Sequence, residues 1–278
     1  MEKIYLIVLV ITLIIIPSIV IYLNTKFDLF IKKNTFNCLC QKEKVNKLEE
    51  KGYFSDKLKA KKYLEKEFPE IKYAKVIYST SNPEDLRKIK IPDRYVMKYS
   101  TGARMFHIGS KQDEINDIVD KAKYYKSIKF SSYGYRSLPF FNFKEPHYDY
   151  NKEPKIFIEE FIEGIKEFRI MMANGKILYC EKITKQTEIF NQEWKQISDP
   201  ITDGFVNLIN KEKPKCLDKI IQFCYEFYEK EKFDLIRMDF YLNEKEDDFY
   251  FGEFTFTPEN CRKKYSNQFN SKHKELFT

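Results

Sequence analysis

From Ile4 to Leu23 the chain is apolar except for Thr12, Pro17 and Ser18, and it carries no charge there. At about 1.5 Å per residue such a run reaches about 30 Å, the thickness of a bilayer core, so one membrane-spanning helix is expected over residues 4–23. The run is long for a secretory h-region, and Asn24-Thr25-Lys26 offers no small-residue cleavage pattern, which reads as an uncleaved single-pass anchor. Lys26, Lys32 and Lys33 follow the run while only Lys3 and the amino terminus precede it, which favours the body on the cytoplasmic side. Residues 24–54 mix lysine, asparagine and cysteine around Val45 and Leu48 and read as a juxtamembrane connector without visible chemistry.

Beyond residue 54 the pattern alternates between helical and strand periods. Ser55 is the expected N-cap of a helix whose Leu58, Leu64 and Phe68 share a face, and Pro69 ends it. Ala74 to Tyr78 reads as a strand. A second helix is expected from Ser110, with Asp113 closing a capping box and Ile115, Ile118, Val119 and Ala122 forming its buried stripe. Residues 130–154 have little periodicity and read as a long loop. Strands are expected at Lys155–Ile162, Phe168–Met172 and Lys176–Tyr179, with Asn174-Gly175 as a tight turn. A connector over 199–214 precedes a helix from Cys216 to about Glu229, with Leu217, Ile220, Ile221, Cys224 and Tyr228 on one face.

The last long pattern carries the most chemistry. Ile236, Met238, Phe240 and Leu242 alternate with Arg237, Asp239 and Tyr241, and after the polar stretch 243–248 Tyr250, Phe254 and Phe256 alternate with Glu253, Thr255 and Thr257. If residues 243–248 close an antiparallel hairpin, keeping both apolar sets on one face pairs Asp239 with Glu253, with Cβ atoms roughly 5 Å apart. Two carboxylates so placed repel. A structural protein would turn them into water or lean one on Arg237; the chemical alternative is Mg²⁺, which takes one or two carboxylates and completes its shell with water and phosphate oxygens.

Composition narrows the rest. With 278 residues, 43% hydrophobic and 17% aromatic, the chain builds a sizeable core. Its 49 Lys plus Arg stand against 42 Asp plus Glu, a net charge of +7 interleaved with acids, so no nucleic-acid footprint is read from it. The six cysteines form no framework, and the one close pair, Cys38 and Cys40, falls short of zinc-knot spacing, a usage that suits a reducing compartment. His107, His147 and His273 are too dispersed to suggest a catalytic pair.

Ile236-Arg-Met-Asp-Phe-Tyr241 followed by Tyr250-Phe-Gly-Glu-Phe-Thr-Phe-Thr-Pro258 resembles the closing motif of the TupA-like (teichuronopeptide biosynthesis) branch of the ATP-grasp superfamily. Upstream, Ser55-Asp56-Lys57 resembles the start of that domain, Tyr95-Val-Met-Lys98 its nucleotide-lysine strand, Ile156-Phe-Ile-Glu-Glu-Phe161 its hinge strand, and Glu167-Phe-Arg-Ile to Asn174-Gly-Lys176 the strand pair beyond. The resemblance implies an α+β, ATP-grasp-like fold over residues 55–278, with two α+β subdomains clamping a nucleotide. It implies ATP and Mg²⁺ as cofactors, with Lys98 on the polyphosphate and Ser100, Thr101 and Gly102 in the following phosphate loop. Glu159 or Glu160 would serve the adenosine side, since adjacent strand residues face opposite ways. Glu167 and Arg169 match the polar positions after the hinge. Asp239 and Glu253 match the metal ligands, and Thr255 sits where many relatives place a ligating Asn. Arg237 either neutralises a phosphate or braces Asp239.

The phosphate loop has one glycine, Gly102, where the family is richer, and Glu259-Asn-Cys-Arg-Lys replaces the family's small residues after Pro258. Glu145-Pro-His147-Tyr148 matches an aromatic and acidic run on the acceptor side. The expected activity is an ATP-dependent carboxylate–amine ligase working through an acyl phosphate, on substrates that include saccharide-linked ones in cell-surface polymer synthesis. Two alternatives stand beside it: a kinase of a glycan or small molecule on the same fold, and a membrane-tethered polyanion-binding scaffold with a decayed nucleotide site.

Overall fold

Two stretches of period-two alternation close into two antiparallel sheets, and the helices cover their apolar faces. The computed structural model describes residues 12–19, 33–102, 105–128, 145–183, 187–197, 212–261 and 265–277. The first sheet has the order β1-β4-β2-β3, from β1 (Val76–Thr80), β2 (Arg94–Tyr99), β3 (Phe106–Ser110) and β4 (Ile156–Glu160). The second has the order β7-β6-β5-β8-β9, from β5 (Lys166–Ala173), β6 (Lys176–Ile183), β7 (Thr187–Phe190), β8 (Leu235–Leu242) and β9 (Phe249–Thr255). Helices α1 (Phe36–Glu43), α2 (Leu48–Ser55), α3 (Lys57–Glu67), α4 (Ile115–Ser127), α5 (Leu217–Glu231) and α6 (Asn267–Lys272) complete the body.

Each sheet has its own core. Tyr95, Met97, Tyr99, Ile156 and Ile158 of the first meet Ile118, Val119 and Ala122 of α4. The second buries Phe168, Ile170, Met238, Phe240 and Phe254 against Leu217, Ile220, Phe223, Cys224 and Phe227 of α5 and Ala60 and Leu64 of α3. The α5 stripe thus runs through Phe223 and Phe227, with Ile221 and Tyr228 at its flank.

Several expected boundaries move for local reasons. Ser55 ends α2, and Asp56 is the N-cap of α3, accepting from the amides of Leu58 and Lys59 at 2.9 and 3.0 Å. Ser110 ends a strand. Asp113 does accept from the Ser110 amide, at 3.3 Å, as well as from the Tyr95 hydroxyl at 3.0 Å, but the helix starts only at Ile115, after Glu114, which makes no side-chain cap. Only the end of the expected long loop is described, and it makes a 3-10 turn at Pro146–Tyr150.

Within the apolar run, residues 12–19 are helical, with Leu13, Ile14, Ile15, Ile16 and Ile19 exposed, while residues 4–11 and 20–23 lie outside the described residues. Among the described residues no helix is long and apolar enough to cross a membrane. From Phe36 on, the segment expected as a connector packs into the body through Phe36, Leu39 and Cys40. Cys40 forms a disulfide with Cys261, 221 residues away, with Cα atoms 5.4 Å apart. Cysteine usage therefore no longer argues for a reducing compartment.

Candidate functional site

The hairpin of β8 and β9 has the register that its alternation predicts: Asp239 pairs with Glu253 and Arg237 with Thr255. Past that point the pairing shifts, because Gly252 is an extra residue and Phe240 pairs with Phe251. The bulge turns Phe249 and Phe251 into the core and puts Tyr250 opposite Tyr241, so Tyr250 does not share the face of Phe254 and Phe256 as its spacing suggested. Glycine is required there, since a Cβ would lie 2.9 Å from the Asp239 carbonyl oxygen.

One row of charges crosses four strands: Glu181 on β6 faces Arg169 on β5, which faces Asp239 on β8, which faces Glu253 on β9. Arg237 grips Asp239 bidentately at 2.7 Å through both Nε and Nη2, and Nη2 also donates to Thr255 Oγ1 at 3.3 Å. Arg169 donates to Glu167 at 2.8 Å and lies 3.7 Å from Asp239. Burial, with Glu253 alongside, lifts the Asp239 carboxyl above the ordinary range against the pull of Arg237. Burial also acts on Glu253, but Lys57 and then Arg237 outweigh it and hold that carboxyl low.

The first sheet faces this row with Lys98 and Glu159, and α3 supplies two more cations. Ala60 and Leu64 bind α3 to the core of the second sheet, and Lys57 and Lys61, at i, i+3, i+4 and i+7 spacing with them, lie on the same side of the helix and are carried inward beside that core. Lys57 Nζ contacts Glu253 at 3.0 Å and donates to the Gly102 carbonyl at 2.8 Å, spanning both sheets. Lys98 Nζ lies 2.5 Å from Glu159 Oε1 and 5.7 Å from the Tyr241 ring centre, and Lys61 pairs with the other oxygen of Glu159. Burial works to raise the Glu159 carboxyl, yet Lys98 and Lys61 keep it below its usual value.

The other expected site residues fall as follows. Glu160 is exposed and accepts from the Lys75 amide at 3.0 Å, so of the adjacent glutamates only Glu159 is buried. Ser100 and Thr101 are buried, and Gly102 has φ 84°, which glycine adopts readily. The Ser100 hydroxyl donates to Asp56 at 2.8 Å and accepts from the Lys155 amide at 3.0 Å, so it joins the end of β2 to the start of α3. Glu145 accepts from the Thr257 hydroxyl just past β9, which brings the expected acceptor-side run to the end of the strand that carries Glu253. Lys57 and Lys61 were not among the expected site residues; their spacing on the same side of the helix as Ala60 and Leu64 was the available signal.

Mg²⁺ fits this donor set on one condition. Asp239 and Glu253 supply hard oxygens across one strand pair, but among the described residues no group of three or more His, Cys, Asp or Glu side chains could hold a metal ion. Two carboxylates beside lysines suit an ion whose remaining positions are filled by phosphate and water.

The sequence model of the TupA-like ATPgrasp family matches residues 36–276. The D-alanine–D-alanine ligase of Helicobacter pylori is similar at 18% identity and a TM-score of 0.49, over 75% of this chain and 55% of that one. The Bacillus anthracis D-alanine–D-alanine ligase matches at 18% identity and a TM-score of 0.46, over 76% of this chain and 59% of that one. The Thermotoga maritima N5-carboxyaminoimidazole ribonucleotide synthetase matches at 13% and 0.42, over 73% and 41%. The chain thus spans a little over half the length of the D-alanine ligases it matches. No curated protein matches it.

Proposed function

We propose, from the premise that the chain belongs to the TupA-like ATP-grasp family, that it is an ATP- and Mg²⁺-dependent carboxylate–amine ligase. The observation that carries this reading is the paired Asp239 and Glu253 facing Lys98 and Lys57 from the opposite sheet and α3. Mg²⁺, when bound, neutralises phosphate charge and brings both carboxylates into the ionised state. Lys98 serves the polyphosphate as a point charge, and Lys57, next to the Gly102 turn, adds a second. Arg237, held bidentately by Asp239 beside both carboxylates, would offset charge that develops on the transferred group. A substrate carboxylate attacks the γ-phosphorus and ADP departs; an amine then displaces phosphate from the acyl carbon and loses a proton, leaving an amide.

The apolar faces of Val96, Phe106 and Ile108 lie on the Lys98 side of the first sheet, where Phe106 and Ile108 are exposed and suit a purine base. The branch to which the chain belongs suggests a saccharide-linked carboxylate or amine in surface-polymer synthesis, an analogy of family alone. Residues 4–23 serve as the membrane anchor in this reading, supported by the exposed isoleucines of residues 12–19.

Full-length protein incubated with ATP, Mg²⁺, candidate carboxylates and hydroxylamine should yield the acyl hydroxamate with ADP. Asp239→Asn should lower that turnover by roughly hundredfold or more. A stable phosphorylated product that needs no amine would make the enzyme a kinase, and Mg²⁺-dependent turnover surviving Asp239→Asn would end the ligase reading.

A further inference from the structure

The charges around Glu159 carry an inference that rests on the nucleotide reading and deepens it. Glu159 is one buried carboxylate with two ammonium partners, Lys98 on Oε1 at 2.5 Å and Lys61 on Oε2. The two lysines are held differently. The Lys61 side chain is 6% exposed, donates to the Ala74 carbonyl at 2.7 Å, and lies 5.4 and 5.6 Å from the ring centres of Phe157 and Tyr73. The Lys98 side chain is 15% exposed at the cleft, with the Tyr241 ring as its other neighbour, and it acts electrostatically on Glu253. Lys61 is thus enclosed on several sides, while Lys98 borders the space that a polyphosphate would enter.

We propose that Lys61 is a positioning residue for the nucleotide: it stays on Glu159 and keeps that carboxylate neutralised, so that Lys98 is free to leave it for the phosphates. A buried carboxylate with a single lysine partner would resist giving that partner up, because its departure would leave an unpaired buried charge. With Lys61 in place, Glu159 remains paired whichever way Lys98 turns. Burial depresses the Lys61 ammonium and Glu159 opposes that depression, as expected of a cation retained by its carboxylate.

The test uses full-length protein in detergent and titrates MgADP by calorimetry. Lys61→Met should weaken MgADP binding by about tenfold or more, a typical coupling between neighbouring sites, and Lys61→Arg should restore most of it. The double variant Lys61→Met/Glu159→Gln should bind MgADP as Glu159→Gln does, since Lys61 has no task once Glu159 is uncharged. Independently of nucleotide, Lys98 should react with acetic anhydride more slowly in Lys61→Met than in the wild type, because its carboxylate is no longer shared; a purely structural Lys61 would not slow it. Unchanged MgADP affinity in a folded Lys61→Met protein, or a double variant several-fold weaker than Glu159→Gln, would overturn the proposal. If Lys61→Met melts before it can be titrated, the double variant against Glu159→Gln decides alone. A wild type that binds no MgADP sinks the nucleotide reading, whereas equal Lys98 reactivity with and without Lys61 sinks the positioning role.

Discussion

The two sheets are built from the same antiparallel pattern but divide their residues in opposite ways. The second sheet packs Phe168, Phe240, Phe249, Phe251 and Phe254 into one core behind it, and its other face carries titratable groups locked to one another. The first sheet packs a smaller core of Tyr95, Met97 and Tyr99, and its cleft face leaves Phe106 and Ile108 exposed beside a single lysine. In the proposed ligase reading, carboxylates that are to share a metal need a rigid, heavily packed support, because an ångström of slack separates the paired oxygens. A sheet that is to receive a base would need open apolar surface instead.

Substitution should separate the two designs. Phe254→Ala, in the core of the second sheet, should cost about 3–5 kcal/mol of unfolding free energy. Phe106→Ala, at a residue 54% exposed, should change stability by no more than about 0.5 kcal/mol while weakening MgADP binding. Urea unfolding and calorimetry on both variants check the contrast, and a large stability loss at Phe106 would remove it.

The disulfide belongs to the second sheet's side of the comparison. It ties α1 to the segment just after β9, where the Cys261 carbonyl also accepts from Asn37 and Gln41, both at 3.2 Å, and where Asn260 and Cys261 both have positive φ. A covalent tie across 221 residues removes conformations from the unfolded chain, so Cys40→Ser with Cys261→Ser should lower stability by about 2–5 kcal/mol. Protein extracted under a thiol-blocking agent should carry the bond. Two free thiols at those positions in freshly lysed cells would show that it plays no part in the cell.

What the sequence revealed of these regions follows from the range of the interactions. The Asp239–Glu253 pair was legible because alternation on both strands fixes a register once one face is buried. The bulge was not: Gly252 alternates as well as any residue, and only its approach to the Asp239 carbonyl shows why the strand kinks there. Lys57 and Lys61 were overlooked because a lysine-rich helix reads as solvated, and their burial depends on strands far along the chain: Glu159, the partner of Lys61, comes 98 residues later, and Glu253, the partner of Lys57, later still. The Cys40–Cys261 bond, likewise, is a contact between chain ends that no local pattern announces.

The bulge gives a finer test of the second sheet. At Gly252→Ala the new Cβ would meet backbone, 2.9 Å from the Asp239 oxygen, and not a side chain that can swing away. The strands must part or the bulge must move, at a cost of about 1–3 kcal/mol. Because the displaced residue is next to Glu253, MgATP affinity should fall as well. A variant that loses stability but keeps full MgATP affinity would show that the carboxylate pair tolerates looser spacing than the comparison of the sheets requires.

The smallest expected effect comes from the turn at Pro146–Tyr150, which packs against α2. His147 is 1% exposed there, its Nδ1 has no hydrogen-bond partner, and burial, with Lys51 and Lys44 nearby, depresses its pKa from 6.5 to about 3. A base whose pKa is depressed on folding takes up its proton more readily in the unfolded chain. Its contribution is therefore fully present above about pH 6.5, declines as the pH falls, and is exhausted below about pH 3. At pH 5.5 the loss from this one group amounts to about 1.4 kcal/mol, the equivalent of one pH unit of linkage. His147→Phe should remove that component, so the difference in unfolding free energy between wild type and variant should change by about that amount between pH 7.5 and 5.5. Parallel curves for the two proteins over that window would mean that His147 becomes charged in the folded state, and that the turn opens enough to hydrate it.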